Sequence, residues 1–117
     1  MEPMDCLVIY VPTDAAPAVR RAISDAGAGR FGNYSHCSFS TEGTGRFTPL
    51  PGAAPAIGAV GTPEEVAETR IEAIYPRSLR TAVVGAAVEA HPYETPAFMT
   101  FPIDISLPPN PREKAAD

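Results

Sequence analysis

The sequence is short of the residue types that mark several common classes of protein. It has two cysteines in 117 residues, Cys6 and Cys37. Two are too few for a disulfide framework, and both are expected as reduced thiols. No apolar run approaches the roughly 18 residues that cross a bilayer, so no membrane partner is expected. Basic residues number nine against fourteen acidic ones, a net charge of −5, and the pI is near 4.9. That balance argues against a nucleic-acid partner of the usual basic kind. The opening residues Met1-Glu2-Pro3-Met4-Asp5 lack the positive stretch and small-residue cleavage site of a secretory leader. The expected location is cytoplasmic.

What the chain does have is an apolar content of 44%, with nine glycines and fourteen prolines. The Gly and Pro content is high for a globular protein, but the apolar fraction is too large for a disordered one. The length suits one domain, with a core able to fold without disulfides or a structural metal.

Cys6 to Val11 is a continuous apolar, β-branched run closed by Pro12, the pattern of a strand covered on both faces. Ala15, Ala18, Val19, Ala22, Ile23 and Ala26 follow at helical spacing, which predicts a helix over 14–26 ended by Gly27 and Gly29. Tyr34 to Thr41 reads as a second strand. Residues 42–65, rich in Gly, Pro and Ala, then read as a long projecting loop with a short strand candidate at Arg46-Phe47-Thr48. Val66 to Tyr75 alternates strictly. Glu68, Arg70 and Glu72 face one way, and Thr69, Ile71, Ala73 and Tyr75 the other. Leu79, Ala82, Val83, Ala86 and Ala90 mark a second helix ended by His91-Pro92, and Ala97–Ile103 is a final strand.

The order β-α-β-(loop)-β-α-β predicts an α+β, ferredoxin-like sandwich. Its four-stranded antiparallel sheet would carry two helices on one face and the Gly/Pro-rich loop between strands 2 and 3. Residues 1–103 would form the single domain and 104–117 a strap or loose tail. The uncovered sheet face would carry Val8, Tyr10 and Tyr34 or Phe39 beside the charged side of the third strand. A half-apolar open face tends to find a partner, so a homo-oligomer is expected, with loop 42–65 free to contact a protein partner or a neighbouring subunit.

Two blocks carry a family resemblance. Gly32-Asn33-Tyr34-Ser35-His36-Cys37-Ser38-Phe39, continuing through Glu42-Gly43-Thr44-Gly45-Arg46-Phe47, resembles a block of the inserted domain of YqfO-type (Nif-three-like) proteins. Ala90-His91-Pro92-Tyr93-Glu94-Thr95-Pro96-Ala97 resembles a second signature of that family and is similar to the His-Pro-Tyr-Glu segment of CutA-like proteins. The resemblance runs from about Leu7 to Ile103. It implies a PII-like, CutA-like fold and trimeric association. Full-length Nif-three-like proteins carry a dimetal site in a flanking domain. The 117 residues here are filled by the insert, so the GTP-cyclohydrolase label does not transfer and a non-enzymatic module is expected.

His91 and Glu94 are three residues apart, with Pro92 breaking helical geometry between them. They suit a metal ligand or acid/base with a co-ligand. They also suit a rigid helix-to-strand turn whose His caps carbonyls and whose Tyr packs. Cys37 and His36, as neighbours on a strand, would point to opposite faces. Cys37 with His91 would offer soft ligation to Zn²⁺ or copper, or Cys37 would be a small buried hydrophobe. The metal candidates are therefore Cys37, His91, Glu94 and His36, with a neighbouring subunit able to complete the set. Tyr34, Arg46 and Tyr93 are the candidate ligand-binding residues. Arg46, Arg70, Arg77 and Arg80 would line an intersubunit cleft or sit on solvated faces. Gly43-Thr44-Gly45 lacks the lysine of a phosphate loop and is expected in a hairpin or bulge. No residue is assigned as catalytic, because nothing local activates a Cys37–His91 pair. The leading expectation is a non-enzymatic oligomeric module binding a small ligand or divalent metal near Cys37 and the His-Pro-Tyr-Glu turn. The alternatives are a metal-dependent hydrolase using the same residues and a pure interaction module with architectural motifs.

Overall fold

The apolar N-terminal run becomes an inner strand of the sheet. In the computed structural model, which describes residues 2–105, β1 (Met4–Pro12) is followed by α1 (Ala16–Asp25), β2 (Phe39–Phe47), β3 (Glu64–Pro76), α2 (Arg80–Ala90) and β4 (Ala97–Ile103). Single 3₁₀ turns at Thr13–Ala15 and Arg77–Leu79 lead into the two helices. The strand order is β2-β3-β1-β4, antiparallel throughout, which is the expected ferredoxin-like sandwich. The tail expected at 104–117 lies outside the described residues from position 106 on.

Alternation along β1 and β3 decides which side chains enter the core. Leu7, Ile9, Val11, Ile71, Ala73 and Tyr75 face the helices and pack against Val19 and Ile23 of α1 and Val83 and Ala87 of α2. The spacing of Val19 and Ile23 puts both on one helix face, and Arg21 on the opposite side is exposed. Among the described residues no helix is long and apolar enough to cross a membrane.

The second strand differs from the sequence expectation. It runs from Phe39 to Phe47 rather than from Tyr34 to Thr41. Residues 30–38 instead form a tight docked loop. Phe31 and Tyr34 exchange backbone hydrogen bonds, and the Cys37 N–H donates to the Gly29 carbonyl. His36 takes a φ of 61°, which no strand accommodates. Regular pairing begins only where Phe39 meets Glu72. The long loop is therefore 48–63, because residues 42–47 belong to β2 and 64–65 to β3.

β3 pairs with β1 from Glu68 onward but with β2 from Glu64 onward. Thr44–Phe47 and Glu64–Ala67 thus run past the end of β1 as a two-stranded arm, with loop 48–63 at its tip. On the face away from the helices, cross-strand partners align Phe39, Glu72, Val8 and Met99 in one row and Thr41, Arg70, Tyr10 and Ala97 in the next. Phe39, Met99 and Phe101 of this face are 65%, 48% and 41% exposed, while Val8 is buried between its neighbours. Tyr34, expected as an alternative on this face, lies in the docked loop instead.

Candidate functional site

Pro92 forbids helical conformation at the residue before it. His91 accordingly leaves α2 with extended geometry (ψ 134°), its N–H still capping the Ala87 and Val88 carbonyls. The change of direction turns the ring back onto β1. Nε2 lies 2.7 Å from the Tyr10 carbonyl, and Nδ1 accepts the Tyr93 N–H at 3.1 Å. A carbonyl can only accept and an N–H can only donate, so His91 is the neutral Nε2–H tautomer with both nitrogens used. Its 6% exposure leaves no open ring position.

The rest of the turn reaches two other elements. The Tyr93 ring stands 5.0 Å from the His91 ring and meets Phe47 edge-on at 5.7 Å. Its hydroxyl donates to Glu68 Oε2 on β3 at 3.0 Å. Burial, reinforced by this bond to a carboxylate and its negative charge, pushes the Tyr93 hydroxyl up to about 12. Glu94 Oε1 accepts the Ala54 N–H at 2.9 Å and so holds loop 48–63 to the turn.

Between turn, arm and loop lies a cleft of about 240 Å³. Its walls are the Tyr10, Phe47 and Tyr93 rings and the apolar side of the loop at Pro55 and Ile57, with Arg46, Glu68 and Glu94 as polar groups. A broader trough continues from it over Gly43 and Gly45, sharing Tyr10, Arg46, Glu68 and Ala97. The two glycines do not serve a positive-φ hairpin, since neither has positive φ and both lie within β2. A Cβ at Gly45 would run into the Glu68 carboxylate that Tyr93 holds in place, whereas Gly43 faces open space.

The structure brings together Arg46, Tyr93 and Glu94 of the sequence candidates and separates the others. Tyr34 is exposed in the docked loop. His36 and Cys37 do not alternate on a strand. His36 contacts Asp25 at the end of α1 (3.3 Å) and the Ser35 hydroxyl (3.0 Å), and Cys37 is an exposed thiol rather than a buried hydrophobe. The Cys37 backbone is tied through Gly29 to the Ile74 carbonyl, level with Cys6, while His91 is tied to Tyr10. Four residues of strand separate those points, about 13 Å at 3.3 Å per residue. Within one chain, then, Cys37 does not join His91, and among the described residues no three His, Cys, Asp or Glu side chains group to hold a metal. Of the four arginines, Arg46 and Arg70 share the trough, paired with Glu65 and Glu72, whereas Arg77 pairs with buried Asp5 at 2.8 Å and Arg80 reaches Thr100. Sequence reasoning missed Tyr10, Phe47, Glu68 and the Ala54 segment as site components. Glu68 and Tyr10 carried a signal, their place on the open sheet face.

No family model matches the chain. It is 47% identical over 103 residues to a Bacillus subtilis protein named GTP cyclohydrolase 1 type 2 homolog, covering 88% of this chain and 28% of that one. A protein of the same name from Mycobacterium tuberculosis is 54% identical over 98 residues, covering 84% and 26%. Among solved structures, a Bacillus cereus protein related to NIF3 superposes with a TM-score of 0.77 at 49% identity, covering 89% of this chain and 26% of that one. The periplasmic divalent cation tolerance protein CutA of Archaeoglobus fulgidus superposes at 0.64 and 16% identity over 89% of this chain and 87% of its own, a likeness of fold alone. The chain spans about a quarter of the length of the curated relatives it matches. In sequence and fold the chain is a homologue of one CutA-like segment of the NIF3-related proteins.

Proposed function

We propose that this domain is a non-catalytic module that associates with copies of itself through the open sheet face and holds a small ligand in the cleft beside the His91–Glu94 turn. The observation that carries the reading is the cleft's construction. The turn is tied by side-chain hydrogen bonds to two segments distant from it in sequence, β3 at Glu68 and loop 48–63 at Ala54, around an aromatic-walled space. A concave, mostly apolar site with a few convergent polar groups is the usual form of a small-molecule site. The hydrolase alternative has less support, because the residues it needs are not assembled within one chain. Fragment binding followed by protein-observed NMR tests the reading. Shifts should concentrate at Phe47, Tyr93 and loop 48–63 and vanish when Ala56→Trp fills the cleft, and shifts that survive that substitution would place the ligand elsewhere.

Self-association is supported by the exposed Phe39, Met99 and Phe101 on one sheet face and by the trimer that the family resemblance implies. Light scattering should give a trimer that Met99→Lys disperses, and a monomeric parent protein would overturn this part. Loop 48–63, with Leu50 and Val60 exposed, is the segment proposed to meet a neighbouring subunit or protein partner. A Zn²⁺ or copper site would have to start from the adjacent, exposed His36 and Cys37 and draw further ligands from a second chain. Metal analysis of untagged protein tests that arrangement, and metal absent from the assembled oligomer rejects it.

A further inference from the structure

The charges lining the cleft are unequal. Arg46 is the only basic residue in its wall, and its Nε is engaged by Glu65 at 3.2 Å. Two carboxylates, Glu68 and Glu94, line the same wall, and among the described residues neither has a basic partner within ion-pair distance. Each spends one oxygen on a neutral donor, the Tyr93 hydroxyl and the Ala54 N–H. The remaining lone pairs belong to carboxylates that no positive charge among the described residues pairs with. The Tyr10, Phe47 and Tyr93 rings complete the wall, and the faces of such rings attract cations. In the adjoining trough Arg70 is matched by Glu72, which leaves that surface no net positive charge to offer. The chain as a whole carries −5, a field that draws cations and repels anions.

We infer that the cleft selects a small organic cation, an ammonium or guanidinium group on an apolar body, over phosphates, nucleotides and other anions. Its apolar part lies against Phe47, Tyr93 and the loop prolines. Its positive group faces Glu68 and Glu94 and sits over an aromatic ring face. The inference rests on the reading of the cleft as a ligand site and adds the sign of the ligand's charge. The arginines do not reverse that sign, because Arg46 and Arg70 are each matched by a carboxylate and Arg77 and Arg80 lie outside the cleft wall.

Three single-ring probes of near-equal size separate the possibilities: phenethylamine as the cation, 2-phenylethanol as the neutral compound and phenylacetate as the anion. Each is titrated into the full chain at pH 7 and followed by protein-observed NMR. Phenethylamine is expected to bind at least tenfold more tightly than 2-phenylethanol, with the advantage shrinking as salt is raised from 0.05 to 0.5 M. The double variant Glu68→Gln/Glu94→Gln keeps a carbonyl acceptor for both hydrogen bonds and removes only the charge. It should cut phenethylamine affinity about tenfold and leave 2-phenylethanol unchanged. Equal or tighter binding of 2-phenylethanol or phenylacetate, or a cation preference that survives in the double variant, overturns the inference while the cleft stays a binding site. Failure of all three probes to perturb the cleft at millimolar concentration overturns the binding reading itself, and this inference with it.

Discussion

His91→Ala separates an architectural histidine from a chemical one. The wild-type ring is buried, donates from Nε2 to the Tyr10 carbonyl and accepts the Tyr93 N–H at Nδ1. Truncation removes two internal hydrogen bonds, each worth about 1 kcal/mol net. It strands a buried N–H at Tyr93, an orphan that costs about 1–3 kcal/mol, and it deletes a ring in contact with Tyr93. The Tyr10 carbonyl lies on an inner strand and is partly compensated, so the expected total is about 2–4 kcal/mol, a large share of a typical domain's 5–15. In urea, with a slope of about 1.5 kcal/mol/M, the midpoint should fall by about 1.3–2.7 M. Parent and variant are compared at one protein concentration, since association adds apparent stability. A loss below about 0.5 kcal/mol would refute the clasp geometry and return His91 to the candidates for ligation or acid–base chemistry.

Gly29 has a φ of 86°, and a Cβ there would stand 2.5 Å from the Cys37 carbonyl oxygen. Gly29→Ala should therefore cost about 3 kcal/mol or more, whereas Gly43→Ala, facing open space in a strand, should be neutral or gain up to about 1 kcal/mol; equal unfolding midpoints for the two would reject the docked-loop account. Tyr93 ionises at about 12 in the folded chain against about 10 when unfolded. The native state thus holds a proton that the unfolded state has lost, and this contribution to stability, complete below pH 10, drains away as pH rises from 10 to 12. Absorbance titration at 295 nm should show a late step that Tyr93→Phe diminishes and Glu68→Gln moves earlier, and a titration finished near pH 10 would contradict it. Burial also raises Tyr75, so the late step should shrink in Tyr93→Phe without vanishing. Of the two thiols, exposed Cys37 should react with a disulfide reagent in the native state, and Cys6, buried and with its thiol pushed up by burial and the Glu72 charge, only on unfolding; simultaneous reaction would show that Cys6 is not in an inner strand.

The elements legible in the sequence are those whose burial leaves a period. β1 is an inner strand whose residues are buried on both faces, by the helices on one and by neighbouring side chains on the other, and it reads as an unbroken apolar run; β3 alternates, and Val19 and Ile23 mark the inner side of α1. β2 buries almost nothing along its length, so no period was available and its glycines looked like loop. A Cβ at Gly45 would displace the Glu68 carboxylate, a contact visible only in the paired strands. The relation of His36 to Cys37 was misjudged for a different reason. Alternation holds only for extended backbone, and His36 takes a positive φ just before Cys37, whose N–H docks onto the Gly29 carbonyl eight residues earlier in the chain.

The His91–Glu94 spacing suggested one shared ligand, and the structure shows why spacing misleads there. Pro92 sends the two side chains to different elements, His91 to a carbonyl 81 residues away and Glu94 to an N–H 40 residues away. The motif thereby divides into a clasp, whose polar atoms are consumed inside the fold, and a wall, whose rings and carboxylate face the cleft. This division has an energetic consequence. The clasp stabilises the domain with or without a ligand, but loop 48–63 is fastened to the turn through the single Glu94–Ala54 bond, and an exposed hydrogen bond of that kind adds only about 1 kcal/mol net. A ligand in the cleft binds only the arrangement in which that bond is made, so its binding free energy shifts the loop's opening equilibrium in full. Amide exchange in residues 48–63 should therefore slow on binding before any change is seen in the β1–β3 ladder, whose opening already requires disruption of the core.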